Sequence, residues 1–147
     1  MVLIRRSQPA ERHSIRALVE SVLNEVYGGV WTQSALSADE EEWALAWVAV
    51  SGTTIIGMLL THEEWISDLW VLREHRGCGV GRLLLLQGEA EIAGRGYQTF
   101  RLRVVKTNVS AVSFYHRRGW RLEREFRHET LPITMLEMTK GSDQEHA

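Results

Sequence analysis

Apolar and polar positions alternate along the chain in a way that marks out most of its elements. Val2, Leu3 and Ile4, closed by Arg5 and Arg6, predict a short strand over 2–6. Ser7 to Pro9 carry helix-start chemistry. Ile15, Leu18, Val19, Val22 and Val26 then recur at three- and four-residue steps, predicting an amphipathic helix to about Glu25. Residues 27–42, "YGGVWTQSALSADEEE", lose that period and predict a loop with some helix, able to shape a pocket.

"WALAWVAV" and "TTIIGMLLT" are β-prone runs separated by Ser51-Gly52, which predicts a hairpin. "WISDLWVL" predicts a strand from about Ile66 to Val71. A glycine-rich segment follows, then a helix to about Ala93 with Gly94 and Gly96 as stop signals. "QTFRLRVV" predicts a strand and "NVSAVSFYHRRG" a short helix ended by Gly119. "WRLEREFRH" and "ITMLEMT" predict the last two strands, split by Pro132. The order is β-α-(irregular)-β-β-β-α-β-α-β-β. Hairpins alternate with crossovers, so the expectation is an α/β fold on a mixed sheet. One domain is expected over 1–140, with a polar tail over 141–147.

Composition narrows the class. A chain of 147 residues suits one core, and no apolar run approaches bilayer length. The start, "MVLIRRSQPAER", lacks the apolar core of a signal peptide, so a cytoplasmic protein without membrane association is expected. The single cysteine, Cys78, excludes an internal disulfide framework, and the six histidines form no metal-ligand spacing. Net charge is −2, which does not call for nucleic acid. Its distribution is uneven: four Lys/Arg stand against ten Asp/Glu in 1–72, and thirteen against seven in 73–140. Either two solvated faces differ, or the second part meets an anion and the first a cation.

The densest chemistry lies in "REHRGCGVGRLLLL", residues 73–86, where Gly77, Gly79 and Gly81 fall within five positions. Gly81 is followed by Arg82 and Leu83, so a Walker loop fails. Position 82 is not glycine, so the G-x-G-x-x-G fingerprint fails as well. The logic beneath both motifs survives. A strand leads through a bare-backbone loop into a helix whose first N–H groups lack partners, with Arg73, Arg76 and Arg82 beside it. That suits a diphosphate-like anion; a flexible turn with close helix-on-sheet packing is the plainer alternative. In the later helix, Asn108, Ala111 and Tyr115 share a face. Asn108 can bond an amide or act as an N-cap, Ala111 leaves room, and Tyr115 can donate a proton or serve as core.

Arg76, Gly79 and Gly81 after a strand ending "DLWVL" resemble the R-x-x-G-x-G segment of the GNAT superfamily of N-acetyltransferases. N-x-x-A-x-x-x-Y-x-x-x-G-aromatic, met by Asn108, Ala111, Tyr115, Gly119 and Trp120, resembles the second cofactor segment of that superfamily. The resemblance runs from about Val2 to Thr139. It implies splayed central strands that receive the pantetheine arm of acetyl-CoA, with no metal. It implies that the amides of Gly77, Cys78, Gly79, Val80, Gly81 and Arg82, with Arg76, hold the pyrophosphate. It gives Leu69, Trp70 and Val71 to the acyl-pantetheine, and Asn108, Ala111 and Tyr115 to the same cofactor.

It further implies that Tyr115 protonates the departing thiolate and that a carboxylate near the strand, Asp68 or Glu64, serves as base directly or through water; solvated strand-end charges are the plainer alternative for each. Trp31, Trp65 and Glu63 are the candidates for holding the acceptor. The expected activity is acetyl transfer to a primary amine by direct attack in a ternary complex, with a small-molecule or cationic amine as acceptor. A protein N-terminus or lysine, or a non-catalytic acyl-CoA sensor, are the alternatives. A homodimer is expected by resemblance.

Overall fold

The computed structural model describes residues 1–27 and 42–141. Its strands are β1 (Val2–Arg6), β2 (Trp47–Ser51), β3 (Thr54–His62), β4 (Trp65–Val71), β5 (Thr99–Val105), β6 (Arg121–Arg127) and β7 (Thr134–Gly141). Its helices are α1 (Arg12–Tyr27), α2 (Val80–Gly94) and α3 (Val109–Arg117). The strands follow the order β1-β2-β3-β4-β5-β7-β6 in one mixed sheet; β4 and β5 pair in parallel, whereas β1–β2, β2–β3, β5–β7 and β6–β7 are antiparallel. The expected α/β class and order of helices and strands are what the molecule adopts; of the irregular stretch expected over 27–42, residues 28–41 lie outside the described residues. The β4–β5 ladder comprises two register pairs, Trp65 with Arg101 and Ile66 with Leu102. No helix among the described residues is long and apolar enough to cross a membrane.

The chain divides into two compact units, Met1–Thr61 with Asp68–Gly88, and His62–Ser67 with Glu89–Ala147. In the first, the apolar stripe of α1 (Ile15, Leu18, Val19 and Val22) packs on Val48 and Val50 of β2 and on Met58 and Leu60 of β3. The "WALAWVAV" run departs from the sequence expectation. Residues 42–45 form a 3-10 turn, and β2 starts only at Trp47. Trp43 and Ala46 are buried while Ala44 and Leu45 are exposed. That three-residue step is turn geometry, and β propensity yields to the burial of the Trp43 ring. Ser7 holds the turn: its N–H donates to Ala46 O at 2.9 Å and its hydroxyl to Trp43 O at 3.0 Å.

One glycine in this unit sets how closely α2 lies on the sheet. A Cβ at Gly57 would stand 2.9 Å from Leu84 Cδ1 and 3.1 Å from the backbone oxygen of Trp70. Only a bare Cα lets the helix and the strand beside it approach so far.

The second unit is built on Phe100 and Leu102 of β5, Met138 of β7, and Trp120, all nearly inaccessible. The Trp120 ring lies 6.4 Å from Phe100 and 6.1 Å from Tyr115. Its indole N–H donates to Glu89 Oε2 at 3.1 Å, and Lys140 Nζ donates to Glu89 Oε1 at 2.9 Å. A buried carboxylate is tolerable because both oxygens are satisfied, one by a full positive charge.

Gly57→Ala is expected to lower the unfolding free energy by about 1–3 kcal/mol, the usual cost of overpacking, in urea titrations. A neutral result would show that α2 relaxes away from β3 at no cost.

Candidate active site

The glycine segment belongs to the first unit. Leu72 N–H donates to Ile56 O at 2.9 Å beyond the end of β4. Residues Arg73–His75 make a 3-10 turn. Gly77 and Gly79 then take φ of 81° and 92°, left-handed values that side chains rarely adopt. Nothing lies within 4 Å of a Cβ built on either, so backbone conformation rather than crowding calls for glycine there. Gly81 lies inside the first turn of α2 without a positive φ. Leu83 N–H donates to Gly79 O at 3.1 Å, the first bond of the helix. The amides of Val80, Gly81 and Arg82 therefore precede any helical acceptor. Buried Val80, Leu84 and Leu85 anchor the helix, and Leu83 and Leu86 are exposed.

Arg76 does something the sequence did not reveal. Its Nε donates to Val71 O at 3.0 Å, while its two terminal nitrogens meet both oxygens of Glu25 at 2.5 and 2.7 Å. The arginine expected to face an anion thus joins the end of β4, the loop and α1. Hydrogen bonds from Arg76 hold the Glu25 carboxyl below the usual carboxylate range, burial opposes the shift, and the charges of Arg76 and Arg73 add to it. Arg82 is exposed, with no ion pair among the described residues. Cys78 is also exposed, and its thiol donates to His75 O at 2.9 Å.

On β4, Asp68, Leu69, Trp70 and Val71 are half-buried. Trp70 Nε1 donates to Asp68 Oδ1 at 3.2 Å, which places the two side chains on one pleat, as the period-two spacing requires.

In the second unit, Asn108 caps α3, its Oδ1 accepting from Ala111 N–H at 3.3 Å. Tyr115 is buried, its ring 5.3 Å from Phe114 in an edge contact. Glu63 stands at the β3–β4 turn with φ of 53°, near His62 at 3.6 Å. Glu64 approaches Arg101 at 3.9 Å. Trp65, Ile66, Ser67 and Arg103 line an open pocket of about 330 Å³. Trp31 lies outside the described residues.

Two groups escaped the sequence reading. Glu25, near the end of α1, takes its role from its meeting with Arg76. The second group is Arg101 and Arg103 with Glu137 and Arg124. The alternation in "TFRLRVV" puts both β5 arginines on one face, and the register of β7 and β6 supplies their partners. No group of His, Cys, Asp or Glu among the described residues could hold a metal ion.

A family model for the acetyltransferase (GNAT) family matches residues 16–120. The chain therefore belongs to the GNAT acetyltransferase family. Several solved structures share its fold at low identity. PaiA N-acetyltransferase from Thermoplasma acidophilum, solved in complex with coenzyme A, is 18% identical with a TM-score of 0.74, over 96% of this chain and 99% of that one. YncA from Salmonella typhimurium, solved with acetyl-CoA, is 14% identical with a TM-score of 0.77, over 97% and 95%. The ribosomal-protein-S18-alanine N-acetyltransferase from Escherichia coli is 15% identical with a TM-score of 0.74, over 96% and 94%. No curated protein matches the chain significantly in sequence.

The Glu25–Arg76 pair yields a pH dependence of defined sign. The folded carboxyl titrates below its unfolded value, so its contribution to stability is fully present above the usual carboxylate range. It is lost as pH falls through the depressed value. Urea midpoints of the parent and Glu25→Gln should differ by a constant amount near neutrality and converge in acid. A gap that persists unchanged to low pH would contradict this.

Proposed function

We propose that the chain is an acetyl-CoA-dependent N-acetyltransferase acting on a primary amine by direct attack in a ternary complex. The observation that carries the reading is the pair of left-handed glycines at 77 and 79, opening onto the unpaired amides of Val80, Gly81 and Arg82. Their chemistry fits a diphosphate: N–H donors and a positive helix end, in a loop with open space above both glycines. Exposed Arg82 adds charge. Arg76 acts one step back, as the positioning residue that fixes the loop. When bound, acetyl-CoA supplies an acyl thioester activated toward an amine.

This chain's own residues then have separable tasks. Backbone groups of Leu69, Trp70 and Val71 orient the acyl arm, and an N–H among them polarises the thioester carbonyl. Asn108 and Ala111 shape α3 where that arm lies. Tyr115, its ring fixed by Phe114 and Trp120, holds the proton that the leaving sulfur takes. The amine must lose a proton, and Asp68 receives it directly or through water, with Glu64 as the alternative. Asp68 is oriented by the Trp70 indole and stands on the strand that carries Leu69 and Val71. Glu63 and Trp65 flank the acceptor, and a small-molecule amine is the acceptor class proposed. Three structural relatives support the reading: two were solved with coenzyme A or acetyl-CoA, and one is named for acetylating an alanine of a ribosomal protein.

Acetyl-CoA should raise the melting temperature, with ATP and NAD leaving it unchanged. Gly79→Val should abolish that rise by forcing a β-branched residue into a left-handed conformation. Equal shifts with all three nucleotides would sink the cofactor assignment. In a thiol-release assay over a panel of amines, Tyr115→Phe should reduce kcat by about 10²-fold. A kcat unchanged at every pH would remove Tyr115 from the proton's path.

A further inference from the structure

Around the open pocket of the second unit, positive charge outnumbers its local compensation. Glu137 of β7 is 6% exposed and sits among three guanidinium groups: Arg124 at 3.2 Å, Arg101 at 3.5 Å and Arg103 at 3.8 Å. The register makes this gathering inevitable, because Arg103 and Arg124 both stand opposite Glu137 on its two neighbouring strands. One further carboxylate, Glu64, reaches Arg101 at 3.9 Å. Three cations thus share two carboxylates, and two of the four contacts are too long to be hydrogen bonds.

Arg103 is the least satisfied of the three. Its guanidinium lies 4.9 Å from the Trp65 ring centroid and 5.2 Å from that of Phe126, held between two aromatic faces. It makes no hydrogen bond to any described residue, and its side chain is 47% exposed. It also lines the pocket, beside the exposed Ser67 and the half-buried Trp65. The result is a five-donor fork, oriented by stacking and 3.8 Å from Glu137 at its Nε, at the wall of the open pocket. Glu137 steadies the arginines, and the three guanidinium charges around it outweigh its single negative charge. Such a fork matches an oxyanion with two acceptor oxygens.

We infer that this pocket is an acceptor subsite for an oxyanion: the amine that receives the acetyl group carries a carboxylate or phosphate, which Arg103 binds while Trp65 covers its apolar part. The inference rests on the acetyltransferase reading and narrows it to anionic amines.

The test uses the full chain with coenzyme A and matched probes. Phenylalanine is compared with phenylalaninamide, and O-phosphoethanolamine with ethanolamine. Binding is read from the Trp65 indole N–H resonance, assigned with Trp65→Phe, so that it does not depend on turnover. The anionic member of a pair should shift the resonance and bind at least about tenfold tighter than its neutral partner. A carboxylate-only or phosphate-only response names the anion. Arg103→Gln should erase the preference. Arg103→Lys, which keeps the charge and loses the fork, should weaken it without unfolding risk. No shift with either anion, or equal affinity within both pairs, overturns the inference. In the thiol-release assay, kcat/KM should follow the same preference, with KM carrying the change. Anion binding that depends on Arg103 but releases no thiol from acetyl-CoA would leave the subsite standing and reject the acetyl-transfer reading instead. Turnover of neutral amines with no response at Trp65 would do the reverse.

Discussion

The proposed cofactor loop depends on one side chain, Arg76. It reaches the last carbonyl of β4 with Nε and the carboxylate of Glu25 with both terminal nitrogens. Two left-handed glycines close behind it would otherwise leave the backbone with many conformations of similar energy. A bidentate pair is directional as well as attractive, so it specifies where the loop begins. The amides of Val80 to Arg82 inherit that placement, because α2 starts only three residues after Gly77 and is anchored by Val80, Leu84 and Leu85. Electrostatics, backbone freedom and core packing each contribute a separate part to one short segment.

Most of this segment could be read from the chain alone, because its determinants are local. A strand, a glycine run and a leucine-rich helix in succession need no partner to be recognised. The role of Arg76 could not be read, since its partner lies 51 residues away. An arginine beside a phosphate-type loop is naturally assigned to the phosphate, and only the packing of α1 redirects it. Asn108 illustrates the same ambiguity from the other side. Its spacing to Ala111 and Tyr115 was visible, and in the structure its oxygen caps the helix that presents them. The cap uses Oδ1 and not the amide nitrogen, so it does not exclude the proposed cofactor contact.

Strand boundaries show where propensity misleads. "WALAWVAV" reads as one β run, yet its first half turns to bury Trp43. The arginines of β5 show the opposite failure. Their shared face follows from alternation, but their meaning depends on register, which brings Glu137 and Arg124 opposite Arg103. Register is set by the whole hydrophobic pattern of paired strands, and a single strand does not contain it. Three of the basic residues of 73–140 gather around Glu137 in the second unit.

The exposed thiol of Cys78 has a practical side. The sequence contains one cysteine, and it lies between the two left-handed glycines. A dye or spin label attached there needs no engineered substitution and no removal of competing sites. The protein thus carries a built-in spectroscopic handle in the segment whose conformation matters most.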